Sequence, residues 1–566
     1  MKNWKSLLLV TVLCAALAHP TQAAQTIPSS QLLQGLYIKE GDSLQTQMTS
    51  VIGALPYSMG ISCETFEDPR CLVSEVPRQQ LRAFMLPCSD SVTLGCIEEI
   101  YALDESGKKY NAQFTRVIAP QLNFGLSTFS EDLATRRIAG SGLGNLWSLS
   151  GLPGVSAPLN LVVQASLGGW RDLGPKSTWT YTFLETGIAA TSIRYGNYRA
   201  NGLEFDPITR RITGGDSIGS NGREDDTCVA TESAICFDRQ AFPKNFKFGF
   251  NLRLPNSLDG FFHGRINSPI ATQTDTKNGG VNLTIEANPV RVPFIRERIG
   301  YQSWTKEMIE FADRTYVCSD NLKCGGTGGG LMYPGVSGDF AFTNATLFLP
   351  IVKDKATGSA DFWSVRTLER TYDSGVSQSF EACISRDARV AGIVTTNAMV
   401  YSAGPPAFNE STGSLDYKVL SPHFDSQGDE NLGTYDLLLR SDFARCIYGF
   451  SSAPIRAEIS IVGSGGEDKV ATTVINEKDG WMYLSAKGFT YSSPTLKVKM
   501  SQDKIVEVPE VQQIEPREVA VKRVEAAPVV KPTPTVIKKS ITCTKGKITK
   551  KVTGTKPKCP VGWKKK

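Results

Sequence analysis

The chain is expected to be mainly β, with several antiparallel β-sandwich-like domains and one short helical segment, then a disordered linker and a small disulfide-stapled C-terminal module. Three observations carry that expectation. Ile455, Ala457, Ile459 and Ile461 alternate with Arg456, Glu458 and Ser460, and Leu496, Val498 and Met500 alternate with Lys497 and Lys499. That is the period of a half-buried strand. Short apolar runs broken by Gly, Pro, Asn and Ser recur from residue 25 to residue 293, the punctuation of an all-β region. Helical spacing is scarce and is clear only between residues 298 and 318.

Taken in order, the first 23 residues read as a secretion signal. Lys2 and Lys5 precede an apolar run over residues 7–18, and Thr21-Gln22-Ala23 suits cleavage after Ala23. The run is too short to span a bilayer, and nothing later reaches about 18 consecutive apolar residues, so no transmembrane segment is expected. Lipidation of Cys14 is the competing reading, but Leu13 stands where such sites carry a small residue. Residues 24–293 form a β-rich region of one or two domains, in which Phe246, Phe248, Phe250, Leu252 and Leu254 alternate, as do Val281, Leu283, Ile285 and Ala287.

Residues 294–379 are mixed. Trp304, Met308, Ile309, Phe311 and Ala312 fall at helical spacing, a Gly-rich loop follows at residues 325–330, and β character returns beyond Tyr333. Residues 380–500 read as a β-sandwich whose hairpin at Asp479-Gly480 leads into Trp481. Prolines 509, 516, 528, 532 and 534 mark a linker over residues 501–540 that could reach on the order of 100 Å if extended. Residues 541–566 form a basic two-cysteine module in which Lys545-Gly546 turns a hairpin.

Secretion makes the cysteines readable. Without Cys14 there are twelve, and their order pairs Cys63 with Cys71, Cys88 with Cys96, Cys228 with Cys236, Cys318 with Cys324, Cys383 with Cys446, and Cys543 with Cys559. Cys228–Cys236 is expected to close a polar loop, and Cys383–Cys446 to join the two sheets of the sandwich in the manner of immunoglobulin-like domains. Ala444 stands where such domains carry a tyrosine, which argues against a true member. No histidine lies near any of these pairs, so a zinc site is not expected, and no cofactor is expected either.

Charge divides the chain. The last 36 residues hold twelve lysines and no acidic side chain; without those, Lys2 and Lys5, the net +5 becomes −9. An acidic body carries a basic tail.

Catalytic motifs are weak. Gly214-Gly-Asp-Ser-Ile-Gly219 fits G-x-S-x-G, but a nucleophile elbow needs a helix after the serine, and Ser220-Asn-Gly-Arg continues as polar loop, so Gly214 to Gly219, with Ser217 in it, is read as a turn. His263 and His423, the histidines beyond the signal, both lie downstream of it, against the order of chymotrypsin-like enzymes. The Asp425–Asn431 stretch has oxygen ligands for calcium but no EF-hand spacing, and reads as a solvated loop. Paired carboxylates for glycoside hydrolysis leave no sequence signature. Phe261-Phe262 and Tyr195/Tyr198 could stack on sugars, yet aromatics on strands usually serve a core. Gly140-Ser-Gly-Leu-Gly lacks the strand–helix context of a dinucleotide site.

The tail, TCTKGKITKKVTGTKPKCPVGWKKK, resembles the short basic two-cysteine module that ends many uncharacterised secreted proteins of planktonic actinobacteria. Cys88 with Cys96-Ile-Glu, Ala444-Arg-Cys-Ile-Tyr-Gly-Phe-Ser-Ser-Ala-Pro and Gly488-Phe-Thr-Tyr-Ser-Ser-Pro resemble stretches in the bodies of the same proteins. The resemblance implies a location and a lifestyle rather than a reaction. The expected function is that of a secreted, cell-envelope-associated, non-catalytic protein with a binding or structural role. It would be held to an anionic cell-envelope polymer or polysaccharide by Lys545, Lys547, Lys550, Lys551, Lys556, Lys558, Lys564, Lys565 and Lys566. Nucleic acid is not an expected partner. The alternative is a secreted hydrolase of polysaccharide or ester substrates with an active site assembled from scattered residues.

Six bridges leave no free thiol. Native mature protein should show none by thiol titration and should migrate faster on a non-reducing gel than on a reducing one; two or more free thiols would overturn the pairing.

Overall fold

The computed structural model describes most of residues 78–295, 339–368 and 390–502, with shorter segments at 37–38, 51–54, 61–62, 65–69, 305–308, 310, 331–332, 383 and 539–565. The signal segment, Cys63, Cys71, Cys318, Cys324, Ser217, the Gly325 loop, most of the linker, and Lys547, Lys556 and Lys566 lie outside the described residues. Strand takes 60% of what is described and helix 6%, so the protein is mainly β. Two compact units are distinguished, Met1–Ile505 and Val506–Lys566.

The first unit is built on one large twisted sheet. From one edge its strands are Ile61–Ser62, Val51–Ala54, Arg78–Phe84, Leu159–Asp172, Thr180–Tyr195, Ser364–Thr367, Gly260–Arg265, Val390–Thr396, Leu432–Arg440, Trp481–Thr490 and Thr472–Lys478. Neighbours along this path are antiparallel except Gly260–Arg265 with Val390–Thr396, which run parallel. A parallel pair cannot be joined by a tight turn and needs a long crossover. Here the intervening chain contributes strands of its own to other sheets before returning.

Two smaller sheets cover the large one. Cys96–Leu103, Lys109–Asn111, Lys247–Leu254, Asn267–Asp275 and Val281–Asn288 form a five-stranded sheet. The alternating pairs foreseen at residues 246–254 and 281–287 are neighbours in it, Phe250 opposite Ile285. Its inward residues Ile100, Phe248, Phe250 and Ile285 meet Leu167, Leu184 and Phe262 of the large sheet, and Trp363 just before the strand Ser364–Thr367, in one apolar cluster. The indole of Trp363 stands edge-on to Phe250 at 5.4 Å and donates to the Ala287 carbonyl at 3.1 Å. Toward the C-terminus, Val400–Tyr401, Ala407–Asn409, Ser414–Leu420, Ile455–Val462, Asp468–Val470 and Thr495–Gln502 form a six-stranded sheet. It meets the opposite face of the large sheet, Leu415, Tyr417, Ile459, Leu496 and Val498 packing on Phe261, Val394, Leu437 and Leu484. That pair of layers is the sandwich, and its hairpin joins Lys478 to Trp481 with Gly480 at φ 79°; Asp479, the other residue of the expected turn, lies outside the described residues.

Among the described residues, three short helical segments stand where one was expected, besides the single helical residue Cys383. Residues 306–308 and 310 are helical as foreseen: the Thr305 hydroxyl accepts from the Met308 amide, Met308 is buried and Lys306 reaches Glu310 at 3.6 Å. The second, Asp339–Phe348, falls where β structure was expected. Its Phe and Thr residues are poor helix formers, but Ala345 and Phe348 bury against Met399, Val400 and Leu420, so packing overrides propensity. It ends before Pro350, whose ring disfavours helix at the preceding residue. The third, Ser441–Tyr448, buries Phe443 and Ala444 and closes on Gly449 in the left-handed region, φ 65°.

Four bridges form among the described cysteines, Cys88–Cys96, Cys228–Cys236, Cys383–Cys446 and Cys543–Cys559. Two of them do something other than expected. Cys446 sits on the Ser441–Tyr448 helix, so its bridge ties a helix to residue 383 instead of joining two sheets. Cys228 and Cys236 lie in the hairpin Cys228–Glu232/Ile235–Arg239, whose Val229, Ala230 and Phe237 are buried. The bridge therefore staples a packed hairpin and not a polar loop.

At Gly264 the neighbouring strand leaves no room for a side chain. A Cβ there would stand 2.1 Å from the Ser364 carbonyl oxygen. Gly264→Ala should lower stability by about 1–3 kcal/mol, read as a lower urea midpoint, because backbone on a neighbouring strand cannot step aside. An unchanged midpoint would mean that the two strands separate freely.

Candidate functional site

The C-terminal unit is the site that the sequence singled out. Lys539–Lys545 and Ile548–Gly554 form an antiparallel hairpin, and Lys564–Lys565 adds a third strand on the far side of Lys539–Lys545. Cys543 is fully buried and bridged to Cys559, with Cα atoms 5.6 Å apart. So small a sheet has little core of its own, and closing this loop constrains the unfolded chain by roughly 3 kcal/mol in the chain-entropy account. Of the nine predicted lysines, Lys545, Lys550, Lys551, Lys558, Lys564 and Lys565 are described, and all six are exposed.

A second polar arrangement was not foreseen. On the face of the large sheet turned away from the five-stranded one, Ser166, Glu185, Arg366 and His263 stand side by side on four adjacent strands. The Glu185 carboxylate is 3% exposed and lies between two guanidinium groups. Arg82 pairs with one of its oxygens, and Arg366 stands 3.9 Å from the other. Arg82 also donates to Ser166 at 3.0 Å and lies over the Phe183 ring at 5.0 Å.

His263 completes the row, and its chemistry can be derived. The Arg366 Nε–H donates to His263 Nε2 at 3.2 Å. A guanidinium cannot accept, so Nε2 carries no proton and the proton of the neutral ring is on Nδ1. Nδ1 then donates to the Tyr401 hydroxyl at 3.0 Å. Burial, with Arg366 and Arg265 adding to it, holds the His263 pKa well below its ordinary value of 6.5, so the ring stays neutral. Arg265 is 3% exposed, donates to the carbonyls of Ala398 and Met399, and lies over the Tyr401 ring at 4.3 Å. Both imidazole nitrogens are thus engaged, and the row joins strands rather than presenting a base.

The other sequence candidates separate in space. Gly214, Gly215 and Asp216 do not form part of the expected turn: they belong to the strand Ile212–Asp216, paired with Gly202–Phe205, and residues 217–219 lie outside the described residues. The carboxylate partner of His423 is Asp354, not nearby Asp425: Nδ1 and Oδ2 are 2.5 Å apart and the His423 amide donates to Oδ1 at 3.0 Å. Asp425 Oδ1 accepts from the amides of Gln427, Gly428 and Asp429, which makes it the anchor of its own turn. Among the described residues no group of three or more His, Cys, Asp or Glu could hold a metal ion. Phe261 and Phe262 are core, one on each face of the large sheet, while Tyr195 is 76% exposed. Among the described residues no helix is long and apolar enough to cross a membrane.

No protein-family model, no curated protein and no solved structure matches the chain.

The neutral His263 makes stability depend on pH. The unfolded chain takes up a proton at this residue as pH falls below about 6.5 and the folded chain does not. The stability present above that pH is therefore lost on acidification, by up to about 1.4 kcal/mol per pH unit. His263→Gln keeps a donor and an acceptor without titrating, so between pH 7.5 and pH 5 it should lose less stability to urea than the unaltered protein. Equal losses would show that the ring charges in place.

Proposed function

We propose that the protein is secreted and non-catalytic, with a binding or structural role, and that its C-terminal module retains it on an anionic cell-envelope polymer. The observation that carries this reading is the module itself: six exposed lysines on a separate, bridged β unit in a tail with no acidic side chain. Such a surface attracts polyanions, and few other negative surfaces meet an extracellular chain. Disulfides agree with an oxidising compartment. The resemblance of the tail to modules of actinobacterial secreted proteins points the same way. Engagement of both His263 nitrogens favours a non-catalytic body.

One observation favours the second reading, hydrolysis of a polysaccharide or ester. The Asp354 carboxylate orients His423 as an acid orients a catalytic base. Among the described residues no Ser, Thr or Cys side chain bonds the other nitrogen of that ring, so the pair lacks a nucleophile.

Deleting residues 531–566 should release the protein from washed cell walls. For the unaltered protein, retention should fall steeply between physiological salt and 1 M, as the screening length drops from about 8 Å to about 3 Å. The comparison is a pull-down of both forms across a salt series. Equal retention, or binding indifferent to salt, would move the anchoring role into the β-rich body.

A further inference from the structure

We propose that the module binds through one face only of its three-stranded sheet, a face of hydroxyl and ammonium groups, and that the polymer lying on it is an acidic polysaccharide of the uronic acid type. This assignment rests on the envelope-binding reading above and adds which side chains make contact and what they fit.

Residues directly opposite one another in an antiparallel ladder share a face, and successive residues alternate. Cys543 is opposite both Lys550 and Lys565, which puts Ile541, Cys543, Lys545, Lys550 and Lys565 on one side. Cys543 is buried on that side beneath its bridge to Cys559, so the returning chain occupies it. On the other side Thr542 is opposite Lys551, and Thr544 is opposite both Thr549 and Lys564. With Ser540 this face carries four hydroxyl groups and two ammonium groups among its described residues, and no apolar side chain. Thr542, Thr549, Lys551 and Lys564 are exposed, while Thr544 is half-buried and its hydroxyl donates to the Lys564 carbonyl at 3.3 Å, fixing the third strand.

The spacing and chemistry select the ligand. Lys551 and Lys564 lie on the two outer strands, and their Cα atoms are about 12 Å apart from the ordinary strand spacing and rise. The hydroxyl groups of the central strand fall between them. Hydroxyls donate and accept, as sugar hydroxyls do, and ammonium groups bind carboxylates. Binding single-stranded nucleic acid would call for aromatic stacking platforms, and a lipid surface would call for apolar side chains to bury. This face offers neither.

The test uses the full-length chain on immobilised polygalacturonate, with neutral dextran and inorganic polyphosphate beside it. Lys551→Gln/Lys564→Gln and Lys550→Gln/Lys565→Gln remove the same charge from the same two strands but from opposite faces. The first pair should weaken polygalacturonate binding about tenfold and the second less than about threefold. Thr542→Val/Thr549→Val keeps β-branched shape while removing hydroxyls. It should weaken polygalacturonate binding about threefold and leave polyphosphate binding unchanged. Equal losses from the two lysine pairs, or no effect of the threonine pair, would overturn the assignment of the face while leaving envelope binding intact. Failure of the unaltered protein to bind either polyanion would overturn both.

Discussion

A strand covered on both faces has no water for its polar side chains, and the first unit is organised around one. Every residue of Gly260–Arg265 is buried, with Phe262 facing the five-stranded sheet and Phe261 facing the six-stranded sheet. The same strand carries a histidine and an arginine, and burying an uncompensated guanidinium would cost several kcal/mol. The fold answers with fixed acceptors. Arg265 donates to the carbonyls of Ala398 and Met399, just beyond Val390–Thr396, and His263 stays neutral between Arg366 and Tyr401. Because those partners come from the flanking strands and the covering sheet, satisfying two side chains fixes how three strands and a second layer are aligned.

The ion pairs beyond His263 extend this logic toward the N-terminal half. Glu185 is neutralised from both sides, by Arg82 and by Arg366, on strands that adjoin neither one another nor the same part of the sequence. A slip of one residue would turn each of these groups to the apolar face, where no counter-charge waits. Polar specificity and apolar burial therefore choose the same register.

How much of this could be read in the sequence depended on range. Alternation at residues 455–461 and the turn before Trp481 are local, and they appear as a strand and a hairpin. Near-neighbour cysteines such as Cys88 and Cys96 were legible for the same reason. The helix Ser441–Tyr448 is only eight residues long, too short for periodicity to declare itself, although Asp442 in its first turn and Gly449 beyond its end mark it in retrospect. The row of Ser166, Glu185, Arg366 and His263 left no trace, since those residues meet only once strands far apart in the chain have been ordered. In the tail the total charge was visible. Consecutive Lys550 and Lys551 separate onto opposite faces only once the ladder is known.

The middle of the large sheet also sets an order of events during synthesis. Thr186 donates to the carbonyl of Val365, 179 positions later, and Leu184 bonds Thr367 across 183. Contacts of such separation make folding slow, because the loop must close before any of them can reward it. Until Ser364–Thr367 has emerged, the Glu185–Gly187 stretch in the middle of the Thr180–Tyr195 strand presents an open edge of amides and carbonyls to whatever strand is nearest. That interval, rather than the finished molecule, is when a chain of this topology is most exposed to pairing with another copy of itself.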